Sequence, residues 1–430
     1  MLTPGITKAL EIMRKLSRSG FSAFITGGAV RDIFLCQMPA DIDIATSATL
    51  EQVSAMWPEV RIVGKPGSES AVLPLAEGVV DIVSFAGEEL SKELLRRDFT
   101  INAMALSQAG DLEDPWGGIR DLSYGIIRAT GNPEDRLYED PLRALRAVRL
   151  AAALPRFVID GKTAACCRLS AKALSGMPKE RIGREVLKAF REGPSRFLLE
   201  LENLELVEAA LPFFAELRDI PQDKRIHPEG DVYAHTLACC RIMEDFSFDP
   251  ALRAAALFHD IGKSECARKT SGGTSFRGHE EAGADRTCKI LNQWAWPKDL
   301  VKDVTRLVEW HGLLSRECDH EVLRRLIASH GESWVDRLFL LSKADLLAGS
   351  GDLWTWHKNR RIAVEIVLRL SGVTPPLDGR DVMNILGVDE GPLIGKALSA
   401  IAAEMEQRGP MDAEKAADFL RGWFSKRERS

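Results

Sequence analysis

Residues 41–46 (DIDIAT) alternate polar and apolar side chains. Such alternation predicts a strand, and residues i and i+2 of a strand share a face. Asp41 and Asp43 then stand side by side while Ile42 and Ile44 turn toward the core. Two carboxylates at that spacing repel each other unless a cation lies between them. They suit two Mg²⁺ ions that activate an attacking hydroxyl and steady a leaving pyrophosphate. A metal-free surface DxD is the alternative. Just upstream, FSAFIT (21–26) reads as a buried strand, followed by GGAVRD (27–32). Gly27 and Gly28 permit close backbone approach to a ligand, the helix starting near Ala29 would offer free N–H groups, and Arg31 would add a bidentate phosphate contact. A plain tight strand-to-helix turn is the competing reading.

A second set of residues lies far along the chain. His235, His259-Asp260, His279, His311 and Asp345 follow one another in segments of helical character. Imidazoles and carboxylates on successive helices can converge on one metal ion, and such a donor set suits a divalent transition metal. Gly262, just after the His-Asp dipeptide, allows close backbone approach. His227, His320, His330 and His357 fit no such pattern and are assigned structural or surface roles.

The elements that must position these groups follow from periodicity and turn chemistry. Residues 4–19 form an amphipathic helix, with Ile6, Leu10, Met13 and Leu16 at helical spacing. Residues 60–63 and 79–85 add strands. Beyond about Leu122 the strand signals fade, and SYGIIRATGNPEDR carries the turn residues of a boundary. Pro375-Pro376 marks another break, and residues 380–430 read as helical. At EDPLRALRAVRLAA (139–152), acids and Pro141 make a good helix start. Arg143, Arg146 and Arg149 then recur every third residue, either as a solvated basic face or as a binding stripe.

In order along the chain, GGAVRDIFL and DIDIAT, RRDFTINAMA (96–105), DPWGGIRDL (114–122), EDPLRALRAVRLAA and MPKERIGREV (177–186) resemble the motifs of class II tRNA nucleotidyltransferases and bacterial poly(A) polymerases. The resemblance implies an α+β fold: a small mixed-sheet nucleotidyltransferase head (1–125), a helical neck and body for nucleobase and RNA (126–225), an HD domain (226–350) and a helical tail (351–430). It implies metal ligation by Asp41 and Asp43, with Mg²⁺, and triphosphate contacts from Gly27, Gly28 and Arg31. Arg97, Asp98 and Asn102 would organise triphosphate and ribose. Asp81 lies on the strand that bears a third acid in this superfamily, although a structural salt bridge explains it nearly as well. Asp140 and Arg143 would read the base edge, supported by Arg146; a base with the wrong donors would leave buried polar groups unpaired. The histidine set resembles the HD phosphohydrolases, with His235, His259, Asp260 and Asp345 as primary ligands and His279 and His311 extending the site or forming a second metal position.

The implied partners are tRNA, CTP and ATP, and the implied reaction adds cytidine, or cytidine and the terminal adenosine, to the tRNA 3′ end. One departure bears on that choice. Family members carry a long loop between the third-acid strand and RRDFT, whereas here only AGEELSKE (86–93) separates VVDIVSF from LLRRDFT. That shortness resembles the branch that adds only CC. A poly(A) polymerase is a further alternative, against which RIVGKPG (61–67) lacks the basic-aromatic run associated with that branch. The last alternative is an HD phosphohydrolase whose N-terminal half only binds RNA. In the tail, Lys358, Arg360, Arg361, Arg421, Lys426 and Arg427 are candidates for phosphate contact.

Bulk properties agree with a globular multidomain chain. There are 430 residues, of which 45% are hydrophobic and 28% charged, and the net charge of −6 excludes a bulk polycation. The eight cysteines include no CxxC pair, which favours reduced thiols over a disulfide framework. The N-terminus has charges at helical spacing and no long apolar core, so neither a signal peptide nor a membrane span is expected, and the location expected is cytoplasmic.

Overall fold

The computed structural model describes residues 4–39, 41–64, 69–75, 78–270, 273–370, 376–389, 391–409 and 411–427. The chain divides into two compact units, Met1–Pro212 and Phe213–Ser430. Its class is α+β, as expected: the first unit begins with a mixed sheet, and helices dominate the rest.

The sheet contains β1 (Ala23–Thr26), β2 (Ile42–Thr46), β3 (Arg61–Val63), β4 (Ser70–Leu75), β5 (Gly78–Ser84), β6 (Ala105–Leu106) and β7 (Leu112–Glu113). Their spatial order is β3-β4-β5-β2-β1-β6-β7. β2 and β5 run parallel, and the other pairings are antiparallel. Ile25, Ile42, Ile44, Val80 and Ile82 are all buried. The helix Pro4–Arg18 lays Ala9, Ile12, Met13 and Leu16 into this apolar layer and packs on β1 and β2. Each such large side chain withdrawn from water contributes about 1.5–3 kcal/mol. The period-2 pattern of DIDIAT is therefore what fixes which way its acids face.

β4 escaped the sequence reading. It contains Pro74, which lacks an N–H for the ladder and normally argues against a strand; here Pro74 sits opposite Val79 near the hairpin end. The fading of strand signals after Leu122 also hid one small element. Ile126–Ile127 pairs in parallel with Val158–Ile159. The remainder of the unit is helical, with Leu142–Ala153 packed against Lys179–Glu192 and Pro194–Asn203.

In the second unit, Val232–Phe246, Pro250–Phe258, His279–Gln293, Lys298–Trp310 and Glu332–Ala348 form a helical cluster. Their starts are written in the sequence. The Asp231 carboxylate accepts from the Ala234 N–H, and Asp249 accepts from the Ala251 N–H directly ahead of Pro250. Further along, Gly379–Leu386, Pro392–Arg408 and Ala413–Arg427 enclose a separate core of Leu377, Val382, Ile394, Ala397, Ile401, Met405, Ala416 and Leu420. Pro375, Lys65–Gly67 and the side chains of Lys426 and Arg427 lie outside the described residues.

Candidate active site and a second metal-ligand cluster

β2 places Asp43 between two neighbours in register: Thr26 of β1 on one side and Asp81 of β5 on the other. Asp41 precedes β2 and is exposed, while Ile42 between the two acids is buried. Burial, followed by the negative charges of Asp43 and Asp41, raises the Asp81 carboxyl above its ordinary value, and Arg97 opposes this. Three carboxylates thus feel one another across adjacent parallel strands.

Arg97 donates to Asp43 Oδ2 at 2.7 Å and to Thr26 Oγ1 at 3.0 Å. The turn after β1 runs against the same carboxylate. Gly27 has φ +74°, and a Cβ there would lie 2.8 Å from Asp43 Oδ2 and 3.1 Å from Arg97 Nη1. Only glycine permits this approach. The all-oxygen donor set and the glycine cradle fit a hard divalent cation. The helix after the turn, Gly28–Phe34, is only seven residues long. Its side chain on the turn side, Arg31, donates to Asn102 Oδ1 at 2.8 Å and to Asp32 Oδ1 at 2.6 and 2.9 Å.

Asn102 leads into a buried network. Its amide donates to Asp98 Oδ1 at 2.9 Å, the Phe99 N–H donates to the same oxygen, and Arg146 lies 3.0 Å from Asp98 Oδ2. Burial alone would raise the Asp98 carboxyl. Arg146, the Asn102 amide and the Phe99 N–H outweigh it and hold the group below the usual carboxylate range. Arg31, Asn102, Asp98 and Arg146 therefore form one continuous chain.

Asp140 ends the short helix Pro133–Glu139 and accepts from the Leu142 N–H at 3.3 Å, at the start of Leu142–Ala153. Its second oxygen receives Arg181 at 2.8 Å. Arg143 donates to the carbonyls of Arg136 (2.8 Å) and Arg96 (3.0 Å) and to Glu139. A carboxylate accepts about four hydrogen bonds and a guanidinium donates five, so neither group is saturated by these partners. The arginine stripe does not form a free basic face. Arg149 pairs with Glu185 at 2.7 Å, Arg146 with Asp98, and Arg143 is largely covered. The spacing of the arginines was legible, but their acidic partners on Lys179–Glu192 and at Asp98 were not.

In the second unit, the helix Val232–Phe246 carries His235, the end of Pro250–Phe258 delivers His259 and Asp260, and His279 opens the next long helix. His311 follows Lys298–Trp310, and Asp345 lies near the end of Glu332–Ala348. All six groups meet. His235 Nε2 lies 2.9 Å from Asp345 Oδ1, and His259 Nε2 lies 3.8 Å from that oxygen. His279 and His311 approach Asp260 Oδ1 at 3.4 and 3.7 Å. The ligand atoms of His235, His259 and Asp345, and those of Asp260, His279 and His311, form two sets compact enough for one ion each.

The outer ring nitrogens are anchored. Nδ1 of His259, His279 and His311 contacts the carbonyls of Ala256, Phe276 and Val308 at 2.7–2.9 Å. Every Nε2 is thereby aimed inward. His259 Nε2 is buried and lies 3.2 Å from Asp260 Oδ2 without hydrogen-bond geometry, two ligand-type atoms turned to the same space. Burial, then the neighbouring His259, push His311 down to about 4, so its ring is neutral. Close packing draws the dipeptide against the His279 helix: a Cβ on Gly262 would lie 2.2 Å from the His279 carbonyl. His227, assigned a structural or surface role from sequence, lies beside Glu229 and His235. His330 stands between Trp310 and Trp334.

Among the tail cations, Lys358 pairs with Glu317, Arg360 with Asp336 and Arg421 with Asp418. No helix among the described residues is long and apolar enough to cross a membrane. All eight cysteines are free thiols.

Three family profiles match this chain in order. They are the Poly A polymerase head domain (residues 23–77 and 76–128), the probable RNA and SrmB-binding site of polymerase A (156–217) and the HD domain (232–350). An A-adding tRNA nucleotidyltransferase of Deinococcus radiodurans is 31% identical, over 93% of this chain and 95% of that protein. A CC-adding tRNA nucleotidyltransferase of Thermus thermophilus is 32% identical, over 94% of each. The crystal structure of the Bacillus stearothermophilus CCA-adding enzyme in complex with CTP has the same fold, with a TM-score of 0.62 at 24% identity over 99% of both chains. Relatedness at this level along nearly the whole length, joined to the carboxylate cluster of β2 and β5, makes this chain a member of the tRNA nucleotidyltransferase family.

Proposed function

We propose that this protein adds cytidine to the 3′ end of tRNA from CTP, with release of pyrophosphate. The observation that supports this most is the in-register pair Asp43 and Asp81, with Asp41 leading into the same strand, against the Gly27 turn. Mg²⁺ held by these carboxylates would supply the charge that activates the 3′-hydroxyl and stabilises the departing pyrophosphate. The chain's own part is positional. Gly27 leaves room beside Asp43, and Arg31 reaches the triphosphate from the adjacent helix. The Asn102–Asp98–Arg146 chain stiffens Arg31 from behind. Asp140 accepts the exocyclic amine of cytosine, and Arg143 donates to the ring nitrogen and carbonyl. Uracil presents a carbonyl to Asp140 and is refused because acceptor faces acceptor.

The reading that addition stops at CC rests on the eight-residue connection Ala86–Glu93 between VVDIVSF and LLRRDFT. The functional division of the chain into head (1–125), neck and body (126–225), HD domain (226–350) and tRNA-gripping tail (351–430) belongs to the same proposal, and so does a cytoplasmic site of action. A tRNA transcript ending at the discriminator base is given CTP, ATP or both, and its 3′ ends are sequenced. Two cytidines in the CTP lanes, with no further adenosine when ATP is added, is the expected result. Full CCA ends the CC-only reading, and poly(A) tracts with ATP alone point to the polymerase branch. Ends left unextended in every lane refute cytidine addition.

A second activity is favoured by the six inward-facing ligand groups of the second unit. We propose that this cluster binds a divalent transition metal and hydrolyses phosphoesters, with 2′,3′-cyclic nucleotides as the first substrates to test. Chelator-sensitive turnover is expected. Absence of turnover with each of several divalent metals refutes it.

A further inference from the structure

Among the four histidines of the second cluster, His235 is held differently from the rest. Three rings lean their outer nitrogen on a neutral backbone carbonyl. His235 Nδ1 instead lies 2.5 Å from a carboxylate, Glu229 Oε1. Its inner Nε2 faces Asp345 at 2.9 Å. Glu229 is largely buried, its other oxygen has no hydrogen-bond partner, and the ring of His227 donates toward the same Oε1 from 3.0 Å. The His227 ring also packs edge-on against His235, with centroids 4.6 Å apart.

The segment bearing these residues is pinned at both ends. Asp231, two residues after Glu229, caps the helix that carries His235. On the other side, the segment touches the end of the helix that carries Asp345. A Cβ on Gly349 would lie 2.9 Å from the Ile226 carbonyl and 3.3 Å from His227 Nδ1. One short stretch, HPEGD (227–231), therefore fixes a carboxylate behind His235 while bridging the two helices that supply His235 and Asp345.

We infer that Glu229 is a positioning residue for a metal held by His235, His259 and Asp345, and that His227 in turn orients Glu229. This rests on the proposal that the cluster binds metal. A carboxylate accepting the Nδ1 proton fixes the tautomer that leaves Nε2 as the ligand atom, and it makes the imidazole a stronger donor than one leaning on a neutral carbonyl. In the set built on Asp260, His279 and His311 both outer nitrogens contact backbone carbonyls at 2.7–2.9 Å, and the one carboxylate near them, Glu280, lies farther off, 3.1 Å from His279 Nδ1. The position containing His235 is thus the one that depends on Glu229.

The test uses the full-length protein stripped of metal, with Co²⁺ as the probe. Equilibrium dialysis with metal analysis gives affinity and stoichiometry, and the visible Co²⁺ bands report the ligand environment. Glu229→Gln is expected to weaken one binding position by roughly 10–100-fold and to shift its bands. Glu229→Asp, which keeps the charge, should recover part of that loss. Melting of the metal-free proteins separates this from misfolding, because a merely structural role would lower that melting temperature and leave the bands of bound Co²⁺ alone. If Glu229→Gln does not fold, His227→Gln carries the test, with a smaller weakening at the same position. Wild-type protein that takes up no Co²⁺ overturns the metal-site reading itself. Wild-type protein that binds, with variants that bind equally well and show the same bands, overturns the role of Glu229 alone.

Discussion

Replacing Gly27 by alanine places a methyl group in the one spot where the turn after β1 meets the acid pair. The new Cβ would lie 2.8 Å from Asp43 Oδ2, closer than Cβ atoms come in practice, and a tight 3.1 Å from Arg97 Nη1. Asp43 cannot swing aside freely, because Arg97 holds it at 2.7 Å and Thr26 flanks it in register. The backbone at Gly27, φ +74° and ψ −149°, is also one that L-residues adopt at a cost of about 1–3 kcal/mol. The first effect acts on catalysis and the second on stability. On the proposed metal role of Asp43, its displacement by a fraction of an ångström to one ångström corresponds to a loss of about 10²-fold in rate. Gly28→Ala, also beside the proposed triphosphate position, is the milder comparison, since its Cβ would meet only Arg31 Nη2 at 3.3 Å, the end of a long side chain that saturating CTP leaves free to shift. The assay is single-turnover cytidine addition to a tRNA lacking CCA at saturating CTP and Mg²⁺. Gly27→Ala should lose about two orders of magnitude while Gly28→Ala loses much less. Equal rates for Gly27→Ala and wild type, or a greater loss at Gly28, would refute the reasoning.

Further expectations follow from the buried network and the thiols. Asp98→Ala leaves Arg146, the Asn102 amide and the Phe99 N–H without their acceptor and should cost about 3 kcal/mol, read as a lower melting temperature of the full chain. Because the Asp98 carboxyl is depressed in the folded state, its contribution is complete above the unfolded value near ~3.9 and is lost only as pH falls through the folded value. The difference between Asp98→Ala and wild type should therefore stay constant from neutral pH to about pH 5 and shrink in stronger acid; a difference that vanishes at neutral pH contradicts this. In a thiol titration of native protein, exposed Cys36 should react first, and Cys36→Ser should remove that phase. Cys167, pushed up to about 12 by burial, and buried Cys239, Cys240 and Cys318 should react only after unfolding.

What the sequence disclosed and what it hid divide along a physical line. Strand alternation around Asp41 and Asp43 was legible because one face of β2 is buried, and Ile42 and Ile44 record that burial. The histidine order was legible because each ligand sits at or near a helix end or on a regular helix. Pairings between distant segments were not. The register that sets Asp81 beside Asp43 depends on a parallel crossover, and nothing local encodes it. Arg97 with Asp43, Arg181 with Asp140 and Glu229 with His235 all join acids and bases far apart or in irregular segments. Pro74 concealed β4 for the opposite reason, a local signal overridden by its hairpin partner. His227 looked ordinary because a histidine is identified by its neighbours in space, not by those in sequence.

Asp41→Asn probes the carboxylate cluster most directly. Asp41 is exposed and precedes β2, so the change removes one charge while leaving the core of the sheet intact. The measurement is the single-turnover rate of cytidine addition in Mg²⁺, alongside CTP binding and melting temperature. If these acids hold the cations at the reacting phosphate, the rate should fall by roughly 10³-fold or more with folding unchanged. A variant that still adds cytidine within about tenfold of the wild-type rate, a difference of only ~1.4 kcal/mol, would contradict that role.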